Sequence, residues 1–176
     1  MPMYAEYLQT IAERLEPYFD LFWGERVAGK SMDLVAKFKM RNEKYFFSKR
    51  ITLYAYENHE TVLVQRTGEI TPAKVRDFCA FLQEAIEELI VPSDEHMSST
   101  LTGVLLVGGG VDDQVKRLVE NFRYSRSFRF FLQGWCELRL LLVDLTTAEL
   151  YTNKAGRSLR EAYRVPGKGE VKERCC

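Results

Sequence analysis

Glu57, His59 and Glu60 crowd into the short run "YENHET", and two further acids, Asp33 and Glu13, lie upstream. Carboxylates brought together can hold a hard divalent cation, and a held cation can activate water for hydrolysis. The plainer reading is a solvated polar turn between two strands, since connecting segments lie at the surface. A second candidate is "KRLVENFRYSRSFRF", where Lys116, Arg117, Arg123, Arg126 and Arg129 are interleaved with Tyr124 and Phe128. Cations grip phosphates and aromatic rings stack on bases, so this pattern fits a single-stranded nucleic acid. It fits equally the solvated face of a helix that runs into an amphipathic strand. A third is "VLLVGGGVDD", a strand, a glycine turn and a helix start. Backbone amides at a helix start attract anions, but Asp112 and Asp113 would repel a phosphate and no Gly-Lys-Ser/Thr follows. The expectation is an acid-capped turn.

Cys79, Cys136, Cys175 and Cys176 contain no Cys-x-x-Cys pair, and only His59 and His96 could add imidazole ligands. A structural zinc site is not expected, and neither a metal nor another cofactor is called for. Cys79 falls on the apolar face of an expected helix and reads as a core residue. Asp144 and Asn153 follow apolar runs, near strand ends where ligands often sit in open sheets; a turn-forming role is the simpler reading for both.

The elements that must position these groups follow from periodicity. Tyr4, Leu8, Ile11, Leu15 and Tyr18 recur on one face of a helix from Tyr4 to Phe19, with Pro17 disturbing its last turn. In "DLVAKFKMR" the pattern changes to alternation, with Leu34, Ala36, Phe38 and Met40 opposed to Lys37, Lys39 and Arg41, which predicts a strand with one buried face. "YFFSKRITLYAY" and "TVLVQR" add two strands and complete a meander. Thr71-Pro72 is a capping hydroxyl followed by proline at the first helical position. Val75, Phe78, Cys79, Leu82, Ile86 and Leu89 then form a helical stripe. "LTGVLLV" is a strand covered on both faces, Asp112 or Asp113 caps a third helix, and Phe128–Leu132 and Glu137–Leu145 are further strands. "TTAELYTN" is an expected edge strand, Ala155–Arg164 a short helix, and the residues from Pro166 on a flexible tail.

The expected fold class is therefore α/β: a helix, a three-stranded meander, then alternating helices and strands forming one mixed sheet flanked by helices. A single domain spans residues 1–165. That order resembles the core of the PD-(D/E)XK, or restriction-endonuclease-like, superfamily. The run "LYAYENHETVLVQRTGEITPAKVRDFCAFL" is similar to its succession of metal-site strand, turn, second metal-site strand and helix. The resemblance spans roughly Asp33 to Leu150 and implies a nuclease-like fold. It also implies an Asp near Thr52, a Glu at Val64 or Gln65 and a Lys at Arg66 or Thr67, none of which this sequence supplies. The metal chemistry is expected to be lost. Asp33, Glu57, Glu60, Gln65 and Arg66 remain the candidates if acids have been relocated.

Twenty-five Lys and Arg balance twenty-five Asp and Glu. That argues against a dedicated nucleic-acid binder and leaves little repulsion between copies. The N-terminal run lacks the basic start and apolar core of a signal peptide, and no apolar run approaches membrane-spanning length. A cytoplasmic protein with no membrane partner is expected. Its role is protein interaction, most simply as a homodimer built on "TTAELYTN" and the aromatic stretch "SFRFFLQGW". The competing arrangement is a monomer whose edge is covered by the Ala155–Arg164 helix.

Overall fold

The computed structural model describes residues 2–38, 58–89, 98–127 and 135–166. Helix α1, Pro2–Leu15, buries Tyr7, Ile11 and Ala12 against the sheet. It stops one turn earlier than its apolar face suggests. Pro17 lacks the amide that a continuing helix needs, so Tyr18 leaves the stripe and stands 64% exposed. The chain enters strand β1, Phe19–Trp23, directly.

A hairpin comes next, β2 (Arg26–Val27) and β3 (Lys30–Ser31). Its two-residue turn places Ala28 and Gly29 at φ +45° and +77°, the left-handed pair that matches the twist of a tight hairpin. Strand β4, Leu34–Phe38, buries Leu34, Val35 and Ala36 in succession. The expected single buried face is thus corrected: helical layers cover both sides of the sheet, so polar residues have no side to occupy here. The strands expected between Tyr45 and Tyr56, and the one at Phe128–Leu132, lie outside the described residues.

Strand β5, Asn58–Thr67, leads through the Thr71 cap into helix α2, Pro72–Leu89. The Thr71 hydroxyl accepts a hydrogen bond from the Lys74 amide at 3.3 Å. Strand β6, Ser98–Val107, is buried without interruption from Leu101 to Val107. Helix α3, Asp113–Asn121, is capped by Asp112, whose carboxylate accepts from the Val115 amide at 2.7 Å. Strands β7 (Ser125–Ser127), β8 (Trp135–Asp144) and β9 (Glu149–Thr152) complete the sheet. Where a helix was expected over Ala155–Arg164, the chain makes only a 3-10 turn at Arg157–Leu159. Leu159 and Tyr163 still pack on the core.

The strand order is β1-β4-β5-β6-β8, with β7 and β9 both on the far edge of β8. The pairs β1·β4 and β4·β5 are antiparallel and β5·β6 and β6·β8 are parallel. The fold is α/β, with three helices and a mixed sheet of seven strands among the described residues. Helices α2 and α3 and the hairpin cover one face, around Phe78, Leu82 and Ile86. Helix α1 and the C-terminal segment cover the other, around Ile11, Val104 and Leu141. Helix α2 lies so close to β6 that a Cβ on Gly103 would stand 2.4 Å from Leu82 Cδ1. None of the described helices is long and apolar enough to cross a membrane.

Candidate functional site

Between Thr61 and Val64 both sides of β5 are occupied, by β4 and by β6. The Gln65-Arg66-Thr67 run continues beside β6, beyond the last residue paired with β4, and Asp33 immediately precedes β4. Thr52, near which the resemblance implies an acid, lies outside the described residues. Leu34 pairs with Val64, and the Asp33 amide donates to the Val64 carbonyl at 2.9 Å. Asp33 thus sits at the end of the ladder, held beside Val64.

The Asp33 carboxylate is already taken. One oxygen accepts from the Arg66 amide at 2.7 Å and the other lies 3.1 Å from Arg66 Nε. A carboxylate held by both a backbone donor and a guanidinium has its lone pairs and charge committed. A further acid, Asp77, lies in the cleft that Arg66 borders. Gln65 and Thr67 line this cleft of about 200 Å³ with Lys30, Lys74, Asp77 and Phe78. Lys30 Nζ lies 5.1 Å from the Phe81 ring centroid, and Lys74 Nζ donates to the Glu69 carbonyl at 2.8 Å. Tyr4 on α1 closes the end of β5 by donating to the Thr67 carbonyl at 2.9 Å. Among the described residues, no three of His, Cys, Asp and Glu gather as a metal ion would require.

Glu60 is elsewhere. It lies six residues back along β5, about 20 Å at strand rise, on the sheet face that packs against α1. Its Oε1 accepts from Arg139 Nη1 of β8 at 3.2 Å and from the Thr102 hydroxyl of β6 at 3.5 Å. Burial raises its pKa, while Arg139 and the Thr102 hydroxyl pull it down. Burial first, then the charge of Glu60, holds the neighbouring Tyr163 phenol protonated throughout the ordinary range. The Tyr7 hydroxyl donates to the Tyr163 carbonyl. Asp33 and Glu60 are thus two separate pairs, each with its own arginine. Glu13 is exposed on α1 and accepts from Gln9; Glu57 and the His59 side chain lie outside what is described. Lys30, Lys74, Arg139 and Tyr163 had no place among the sequence candidates. Arg139 alone carried a signal, as the one cation in the apolar run "LRLLLVDL".

The basic candidates are dispersed among separate tasks. Lys116 Nζ lies 4.6 Å from the Tyr151 ring centroid. Arg123 donates to the Glu120 and Phe122 carbonyls at 2.6 Å, closing the end of α3. Arg126 pairs with Glu87 of α2. Arg117 is exposed and, with Arg123, Leu118 and Phe122, borders a shallow hollow of about 570 Å³. Arg129 lies outside the described residues. Lys37 pairs with Glu25 at 3.0 Å.

The remaining candidates hold the fold. Gly108 leaves room for Tyr4, whose hydroxyl would stand 2.7 Å from a Cβ there. Asp144 accepts from the Thr146 amide at 2.8 Å and shapes the β8–β9 turn. Asn153 accepts from the Leu140 and Gly156 amides and donates to the Leu138 carbonyl. Cys79 and Cys136 are buried, which pushes their thiols up to about 11 and about 12.

A family model for a domain of unknown function, DUF8052, matches residues 3–165. No curated protein and no solved structure matches. The match covers nearly the whole chain, which therefore belongs to the DUF8052 family.

Proposed function

We propose that this chain is a nuclease-fold protein without nuclease chemistry, acting in protein interaction and assembly. The observation that carries the reading is the Asp33–Arg66 pair. Asp33, a candidate if acids have been relocated, lies just before β4, the strand that pairs with β5 as far as Val64. Its carboxylate is bound by the Arg66 guanidinium and amide. Val64 or Gln65 stands where the resemblance to the PD-(D/E)XK superfamily implies the family's Glu, and Arg66 or Thr67 where it implies its Lys. A protein holds magnesium through one or two carboxylates, which neutral Gln and Thr side chains do not replace. Strand β5 followed by α2 and a parallel β6 is in keeping with the later part of the element order on which the resemblance rests.

A cytoplasmic setting accompanies this reading, in keeping with Cys79 and Cys136 as free buried thiols. Calorimetric titration with magnesium and manganese tests it, together with a cleavage assay on DNA. The expected result is no stoichiometric binding and no metal-dependent cleavage. Micromolar, stoichiometric binding abolished by Asp33→Ala or Glu57→Ala would overturn it.

A further inference from the structure

Among the described residues, strand β1 is an edge strand with little to discourage a partner. Natural edges are blunted by lysine, proline, bulges or a covering segment. In "FDLFW" the one charge is Asp20, and it stands across the ladder from Lys37 of β4. Among the described residues β4 is the strand's only sheet neighbour. Phe22 is 42% and Trp23 54% exposed, and the flanking Tyr18 is more open still. Four large aromatics, counting Phe38 at 38%, therefore rim a row of backbone donors and acceptors.

We infer that β1 pairs antiparallel with β1 of a second copy of this chain, about a two-fold axis at Leu21, joining two sheets into one. Three features select a second copy over an unrelated strand. The axis at Leu21 returns every outward amide to an outward amide, because pairs that sum to twice the central position share its parity. It sets Phe19 against Trp23, aromatic on aromatic, a favourable cross-strand pair. It also sets Asp20 of one copy against Phe22 of the other. Lys37 Nζ already lies 4.9 Å from the Phe22 ring centroid, so each Asp20 meets an ammonium belonging to the other copy. With zero net charge on the chain, no long-range repulsion opposes the approach.

This partner replaces the edge expected from the sequence. Tyr151 and Thr152 of β9 are buried, and β9 is anchored by Asn153. The inference takes the assembly role from the reading above, yet the two fail separately. Metal-dependent cleavage overturns that reading and leaves the edge as it was. A monomer overturns the edge and leaves the metal titration as it was.

Sedimentation equilibrium of the full chain, with Cys175→Ser and Cys176→Ser to remove adventitious thiol pairing, tests the proposal. A reversible dimer is expected. In that background Leu21→Cys should cross-link between copies on mild oxidation, since directly opposed Cα atoms fall within disulfide reach. Trp135→Cys, on the far margin, should not. Phe22→Asp sets carboxylates against each other and should weaken the dimer at least tenfold. Asp20→Lys added to Phe22→Asp restores opposite charges and should recover part of the loss. A single monomer mass throughout, or cross-linking at position 135 and not at 21, overturns the proposal. So does a dimer that Phe22→Asp leaves unchanged.

Discussion

At one margin of the sheet β9 lies with Tyr151, Thr152 and Asn153 buried; at the other, β1 leaves Asp20, Phe22 and Trp23 exposed. Both strands are short and both join the sheet through one antiparallel neighbour. The difference comes from the path the chain takes on leaving each strand. After β9 the chain turns back at Asn153, whose amide side chain substitutes for a further strand. It accepts from Leu140 N at 3.1 Å and donates to Leu138 O at 3.0 Å. Lys116 of α3 then lies over Tyr151. After β1 the chain leaves at Gly24 for the β2–β3 hairpin, which covers the α2 face of the sheet instead. A single amide side chain thus satisfies the backbone groups of β8 beyond the end of β9, as a further strand residue would.

The largest effect should come from opening the closed margin. Asn153→Ala strands the Leu140 and Gly156 amides and the Leu138 carbonyl, all in a buried setting. Chemical denaturation should show a loss of about 3 kcal/mol, on the scale of a few unsatisfied buried groups. Gly156→Ala comes next. A Cβ there would stand 2.3 Å from Thr152 Oγ1 and 3.2 Å from Leu141 Cδ1. Overpacking of that kind costs about 2 kcal/mol, and the melting temperature should fall accordingly.

Between the margins lies the Glu60–Arg139 pair, and here the effect depends on pH. Burial holds the Glu60 carboxyl above its ordinary range in the folded chain, against the pull of Arg139 and Thr102. Its protonation therefore favours the folded state. That contribution is full below the unfolded value and is lost as pH rises through the raised folded value. Urea midpoints of the native chain minus those of Glu60→Gln should fall as pH rises through the mildly acidic range. A difference that grows instead would contradict the raised value. The smallest effect belongs to the open margin. Trp23→Ala should change the stability of the dilute chain by no more than about 0.5 kcal/mol, as surface substitutions do, while reducing self-association.

Legibility in the sequence divides along the same line. Helix α2 was readable because Thr71, Pro72 and a six-residue apolar stripe agree, and β6 because "LTGVLLV" offers no polar face. The cap of α3 at Asp112 was equally local. Strand β1 was hidden because the apolar spacing of α1 runs on through Tyr18 and Phe19, and only Pro17 breaks it. The β2–β3 hairpin was hidden because Ala28-Gly29 is not one of the dipeptides that announce such a turn. Asp33 was named as a candidate, but its pairing with Arg66 depends on the β4–β5 register, a pairing between segments about thirty residues apart that periodicity does not encode. The low charge of β9 was legible, whereas the anchoring of its end to β8 through Asn153 was not.

The contrast between the margins is tested most directly by amide hydrogen exchange, measured residue by residue at low and at high protein concentration. Glu149–Thr152 should be protected alike at both. Within Phe19–Trp23, the amides that point away from β4 should exchange freely in dilute solution and become protected as copies pair. Protection of those amides that is already complete in the dilute chain, or that ignores concentration, would contradict the account of an open edge closed by a second copy.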